Sequence, residues 1–271
     1  RGLVGSEMCI RDSSGTQPDY DDQLKRLWIG TGSAGLFYYD IIRKSLSDIP
    51  IRNFPKQPIL AIRKDAKNTL LIGIDGQGIW NISEKGDTIL HIYKEDLNNP
   101  FSLRGDGVYD ILCDGSKNWI ATFTGKLSFF ENNNSQITPV TYQINNPNSL
   151  GNNYVNQIIE DHEGHIWFAT NNGVSRWDAT SNKWKHYYQN KSEQAKVFLS
   201  LCEDNQGHIW AGSYSSGIYL LDRETGKTLK HYSSKTNTPG FTGDFIFDFF
   251  VDKEGDVWIG GNQKLSCYLI K

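Results

Sequence analysis

Titratable side chains recur in this sequence at fixed places. Asp65, Asp114, Asp161, Asp204 and Asp252 each close a short apolar run, and His162, His165 and His208 stand close behind two of them. Carboxylates beside imidazoles are the material of general acid–base catalysis and of metal sites. Here Asp161, Asp204 and Asp252 are each followed by Gly three residues on. That is the mark of a four-residue turn, in which Asp bonds the backbone ahead of it and Gly tolerates positive φ. As turn residues of separate repeats, these aspartates are expected to be structural. His91, His186 and His231 each precede a Tyr by one or two residues, and a recurring position is a scaffold position. Trp28, Trp119, Trp167, Trp210 and Trp258 have the chemistry of sugar-stacking platforms, but their regular spacing argues for packing. Ser-His-Asp elbows, Gly-rich phosphate loops and zinc spacings are absent from the sequence. No catalytic residue, metal ligand or cofactor is therefore assigned. Carboxylates brought together from different repeats would still allow enzyme chemistry.

The elements that would hold these residues follow from the repeat itself. Aligned on the Trp, the copies read Leu27-Trp28-Ile29-Gly30-Thr31, Leu70-Leu71-Ile72-Gly73-Ile74, Asn118-Trp119-Ile120-Ala121-Thr122, Ile166-Trp167-Phe168-Ala169-Thr170, Ile209-Trp210-Ala211-Gly212-Ser213 and Val257-Trp258-Ile259-Gly260-Gly261. The anchors at 28, 71, 119, 167, 210 and 258 are 43 to 48 residues apart. Periods in the forties, rich in strand formers, are typical of propeller blades. Upstream of the anchors stand Ile59/Ile62, Val108/Ile111, Val155/Ile158, Phe198/Leu201 and Ile246/Phe249, each pair three residues before its Asp. The first copy has Asp22 but only Thr16 and Asp19 where that pair belongs, so its first strand is expected to be missing. Residues 155–160, 165–170, 173–178 and 183–188 read as the four strands of one unit. The fold expected is an all-β propeller of four-stranded antiparallel blades. About six repeats are present, read as an incomplete arc of a seven-bladed or tandem propeller.

What varies between repeats points to a ligand. The loops between second and third strands are Ser33-Ala34, Asp75-Gly76-Gln77, Phe123-Thr124, Asn171-Asn172, Tyr214-Ser215-Ser216 and Asn262-Gln263. In a propeller these loops and the blade-to-blade links share one face. Their amide, hydroxyl and aromatic groups can hydrogen-bond and stack a sugar without charge, although solvated turns use the same residues. The candidate ligand-binding residues are Asp75, Gln77, Arg104, Phe123, Tyr154, Asn171, Asn172, Tyr214, Ser215, Asn262 and Gln263, with Tyr109 able to add to them.

Composition narrows the partners. With 28 Lys and Arg against 31 Asp and Glu, and no basic run, nucleic acid is not an expected partner. No apolar stretch reaches the length of a membrane helix. Cys9, Cys113, Cys202 and Cys267 show no metal spacing and are expected to be free, packed thiols. Residues 1–13 have no periodicity and resemble a translated adapter peptide. Together with the polar lead-in to residue 21 they are expected to be poorly ordered, leaving 22–271 as the propeller domain.

The pattern Val155-x-x-Ile158-x-x-Asp161-x-x-Gly164-x-Ile166-Trp167-Phe168-Ala169-Thr170, then Gly173-Val174 and Trp177-Asp178, with Asn-Pro-x-Ser-Leu in the links at 99–103 and 146–150, resembles the two-component regulator propeller repeat. The resemblance implies the extracytoplasmic sensor region of a Bacteroidetes hybrid two-component system. In that family paired propellers precede a Tyr-rich domain, a membrane helix and a histidine kinase, and the ligands are oligosaccharides from glycan breakdown. On this reading the fragment is not an enzyme and takes no cofactor. It lies in the periplasm, works as a homodimer within the full-length protein, and meets the membrane only through segments beyond its C-terminus. A secreted propeller enzyme of the polysaccharide lyase or lactonase type, or a protein-interaction scaffold, is the alternative.

Overall fold

The computed structural model describes residues 20, 21, 24–188, 196–236, 243–261 and 265–269. Among them every regular element is a strand, arranged as six antiparallel sheets. Five sheets have four strands and the last has three, and in each the strands lie side by side in chain order. These are the blades, numbered 1 to 6 here along the chain. They divide between two compact units, blades 1 to 3 through Pro139 and blades 4 to 6 from Val140.

Blade 4 follows its sequence closely, with strands at Val155–Glu160, His165–Thr170, Gly173–Asp178 and Lys183–Tyr187. Blade 1 departs from expectation. Its first strand is present as the two residues Tyr20–Asp21, paired with Leu27 and Arg26. A two-residue strand lacks the apolar pair that marks the other copies, which is why the sequence pattern missed it. Blade 6 ends, among the described residues, in the third strand, Leu265–Tyr268. Residues 1–19, Asp22, Asn262 and Gln263 lie outside the described residues.

The core lies between blades, because each sheet is apolar on both faces. In the first unit Trp28 and Leu36 of blade 1 pack with Ile59 and Ile62 of blade 2, and Leu71 and Ile79 of blade 2 pack with Val108 and Ile111 of blade 3. In the second, Trp167 and Val174 of blade 4 meet Phe198 and Leu201 of blade 5, and Trp210 and Leu220 of blade 5 meet Ile246 and Phe249 of blade 6. The anchor Trp thus faces the next blade, as its regular spacing implied. Tyrosines of the fourth strand stack on it, with Trp167–Tyr187 centroids 5.5 Å apart and Trp210–Tyr232 5.8 Å.

In blades 2, 3, 5 and 6 the apolar pair of the first strand is three residues apart, yet both members face the preceding blade. A regular strand would send them to opposite faces. A β-bulge reconciles the two. Val155 opposes Thr170 and Gln157 opposes Ala169, which leaves Asn156 without an opposing residue. The same shift falls at Leu60, Tyr109, Leu199 and Phe247.

Candidate functional site

The two ends of a blade are fixed by different side chains. At the turn between first and second strands, the Asp accepts hydrogen bonds from the backbone ahead and from the anchor indole. Asp161 receives the Glu163 and His165 amides at 3.0 and 2.9 Å and Trp167 Nε1 at 2.8 Å. Asp114, Asp204 and Asp252 receive Trp119, Trp210 and Trp258 Nε1 at 2.8, 2.9 and 2.7 Å. In blade 2, where Leu71 replaces Trp, Thr69 Oγ1 donates to Asp65 Oδ2 at 2.9 Å instead. Burial pushes the Asp161 carboxyl up, but the hydrogen bonds from Trp167 and His165 outweigh it and hold the group below the usual carboxylate range. These carboxylates are saturated turn acceptors, as the repeat predicted.

The histidines are engaged as scaffold too. His186 sits between Ser175 Oγ and the Pro147 carbonyl, 3.0 and 3.2 Å from its two ring nitrogens. Its neighbour in the pattern, His231, donates from Nε2 to the Ser216 carbonyl at 2.6 Å. Among the described residues no cluster of His, Cys, Asp and Glu is suited to a metal ion. Of the thiols, Cys202 is buried and Cys113 half-buried, but Cys267 is exposed, against the expectation that all would be packed.

At the other end, a Thr or Ser closes the anchor motif in blades 1, 3, 4 and 5 and ties the loop between second and third strands. Thr170 Oγ1 donates to the Gly173 carbonyl at 2.8 Å, Ser213 Oγ to Gly217 at 2.9 Å and Thr31 Oγ1 to Gly35 at 2.8 Å. Gly173, at φ 88°, supplies the left-handed residue that this tight loop requires. The bulge then lifts the unopposed residue of the first strand toward that loop.

In the first unit this gathers Asp75, Tyr109 and Phe123 around Gly107. A methyl on Gly107 would lie 3.3 Å from Asp75 Oδ1 and 3.2 Å from Phe123 Cβ, and the Tyr109 and Phe123 rings are 5.3 Å apart. The Phe123 amide donates to the Gly107 carbonyl at 2.7 Å. Gln77 and Arg104 do not join this group through their side chains. Gln77 accepts from Lys94 Nζ at 3.1 Å, and the Arg104 guanidinium donates to the Pro100 carbonyl at 2.8 Å.

In the second unit the loop end forms a continuous strip. Asn156 Nδ2 donates to Asn171 Oδ1 at 2.9 Å and to the Phe198 carbonyl at 2.7 Å. The Asn171 amide reaches the Tyr154 carbonyl at 3.1 Å, and the Tyr214 amide reaches Val197 at 2.9 Å. Tyr214 packs on Phe245 with centroids 4.5 Å apart, and Phe245 on Phe247 at 4.4 Å. Tyr154, Tyr214 and Phe247 are about half exposed. Asn172 donates its amide to Thr170 Oγ1 at 3.1 Å, and Ser215 is exposed at the loop tip. Asn156, Phe245 and Phe247 were missed in the sequence. The signal for Asn156 and Phe247 was the residue after the first apolar position of the first strand, where alternation breaks; Phe245 stands just before Ile246.

Known proteins give this geometry a setting. The two component regulator propeller repeat matches residues 149–172, 192–215 and 240–263, stretches that include the first two strands of blades 4 to 6. The resemblance read from the motif is borne out there. Comparison with curated proteins finds no match. Among solved structures, the extracellular domain assigned to a hybrid two component system of B. thetaiotaomicron superposes with a TM-score of 0.69 at 18% identity, covering 89% of this chain and 31% of that one. PorZ, a surface component of the type-IX secretion system of Porphyromonas gingivalis, gives 0.67 at 15% identity over 90% of this chain and 37% of its own. Virginiamycin B lyase of Staphylococcus aureus gives 0.64 at 15% identity over 98% and 87%. At such identities the likeness is one of fold, and that fold is the β-propeller. The chain spans about a third of the first two.

Proposed function

We propose, from a chain built on two component regulator propeller repeats, that this is the ligand-sensing part of an extracytoplasmic receptor in a hybrid two-component system. Its ligand is an oligosaccharide released by glycan breakdown, and its loop end is the binding surface. The observation that carries this reading is the strip from Asn171 and Asn156 to Tyr214 and Phe247, in which paired amides lie at one end and a run of aromatic rings, two of them half-exposed, at the other. Amides satisfy sugar hydroxyls in both directions, and ring faces take the apolar C–H surface of a pyranose. Neither needs a charged ligand.

The full-length receptor, on this proposal, is a periplasmic homodimer anchored by a membrane helix and coupled to a histidine kinase. Signalling requires the ligand to prefer one arrangement of the dimer over another. Calorimetric titration of the intact ectodomain against a panel of glycan fragments tests the proposal. Saturable heat with one fragment class, lost in Tyr214→Ala and Asn156→Ala, is expected. No heat across a broad panel overturns the oligosaccharide assignment, and turnover of a glycan abolished by a loop-end substitution overturns the sensor in favour of an enzyme.

A further inference from the structure

The loops between second and third strands open at one structural position. The amides of Asp75, Phe123, Asn171 and Tyr214 donate to the carbonyls of Pro58, Gly107, Tyr154 and Val197, in each case the residue just before the first strand of the same blade. Along the six repeats that position holds Gly32, Asp75, Phe123, Asn171, Tyr214 and Asn262, so Asp75 is the one charged side chain among them. Asp75 is exposed, and among the described residues its carboxylate accepts no hydrogen bond and joins no ion pair. Three cations of the adjoining loops and links are held elsewhere. Lys94 Nζ donates to Gln77 Oε1 at 3.1 Å, the Arg104 guanidinium to the Pro100 carbonyl at 2.8 Å, and Lys126 Nζ lies 3.7 Å from Glu95 Oε1.

Beside this carboxylate stand two rings. A methyl on Gly107 would meet Asp75 Oδ1 at 3.3 Å and Phe123 Cβ at 3.2 Å, with no other atom of the described residues within 4 Å. Carboxylate and ring therefore flank a floor of bare backbone. Phe123 is 64% exposed, and Tyr109, half-buried, lies 5.3 Å from it between ring centroids. An ammonium group set between them is drawn to the carboxylate by charge and to the ring faces by their negative quadrupole. A neutral sugar gains only the rings, and an acidic one is repelled. In the second unit the same loop position carries Asn171 and Tyr214, which make no such demand.

We propose that Asp75, Phe123 and Tyr109 form a subsite for a sugar that bears a free, protonated amine. The ammonium sits above Gly107 between the Asp75 carboxylate and the Phe123 ring, and the apolar C–H face of the pyranose lies on the ring pair. This names a ligand class for the loop end of the first unit and rests on the oligosaccharide reading above.

The test is a calorimetric titration of the intact ectodomain with a glucosamine oligomer and with its N-acetylated counterpart of equal length, in mildly acidic buffer where the free amine is protonated. The free-amine oligomer is expected to bind about tenfold more tightly. That preference is lost in Asp75→Asn, shrinks as salt is raised, and is weakened in Gly107→Ala, whose methyl fills the floor. Asp75→Asn and the parent melt alike, because the side chain is exposed and unpaired in the fold. Equal affinity for the two oligomers overturns the subsite and leaves the oligosaccharide reading standing. A preference that survives Asp75→Asn overturns it as well, as does the absence of heat with either oligomer. Trilysine binding as tightly as the free-amine oligomer, with the same loss in Asp75→Asn, overturns the sugar in favour of a basic peptide.

Discussion

At the turn end of the blades one carboxylate does the same work in blade after blade, while at the loop end no two blades present the same side chains. Asp114, Asp161, Asp204 and Asp252 each take an indole N–H within 2.9 Å. The corresponding loop ends offer Phe123 with Tyr109, Asn171 with Asn156, and Tyr214 with Phe245. In blades 3, 4 and 5 the backbone that holds both ends is alike, through a closing Thr or Ser and a bulge. The difference teaches that repetition marks what the fold needs and variation marks what is free to contact something else.

Several substitutions probe that contrast. The largest effect is expected at the turn end. Asp161→Ala strips acceptors from the buried Trp167 indole and two amides, and is expected to cost about 2 to 4 kcal/mol in denaturant unfolding. The same carboxylate supplies an acid dependence. Because its folded pKa lies below the ordinary value of 3.8, its contribution is complete above that value and is lost as pH falls through the depressed one. The gap between parent and Asp161→Ala should therefore narrow in acid. Thr69→Val, which removes a single neutral donor to Asp65, is expected to cost only about 1 kcal/mol. An equal loss for the two variants would erase the distinction between an indole lock and its hydroxyl substitute.

A smaller effect belongs to His186, whose pKa burial lowers from 6.5 despite the opposing Pro147 and Ser149 carbonyls. Its stabilisation is present above 6.5, where the ring is neutral in both states, and is lost as pH falls toward the folded value. In His186→Gln the stability should vary less between pH 7 and 5 than in the parent. Last, Asn156→Ala, which removes two part-buried hydrogen bonds, is expected to cost about 1 kcal/mol in denaturant unfolding, while abolishing ligand binding. A large loss of stability there would make the loop end scaffold after all.

Most of the fold was legible because the repeat is strict. Three strands of blade 4 have the ends read from sequence, and the fourth stops one residue earlier, at Tyr187; the next residue, Tyr188, has φ 60° and cannot extend it. The turn role of the aspartates was legible, but their hold on the indoles was not, since a six-residue spacing says nothing about where a ring nitrogen points. Burial on blade 6 was not legible either. Trp258 and Cys267 have the same local pattern as buried counterparts, and exposure depends on a neighbouring sheet rather than on the residues themselves. Of the site, the loop residues were found by their variability. Asn156 and Phe247 were missed because they lie inside strands, where the apolar spacing of three was noticed but its geometric meaning, an inserted residue, was not drawn.

That inserted residue has a consequence for how such a protein can change over generations. A side chain in a regular ladder is constrained by the residue it faces, and exchanging it disturbs a pair. Leu60, Tyr109, Asn156, Leu199 and Phe247 oppose no residue in the neighbouring strand, so mutation there breaks no cross-strand pair. Every duplicated repeat thereby brings a fresh writable position, and a lineage can diversify what it recognises while inheriting the same scaffold intact.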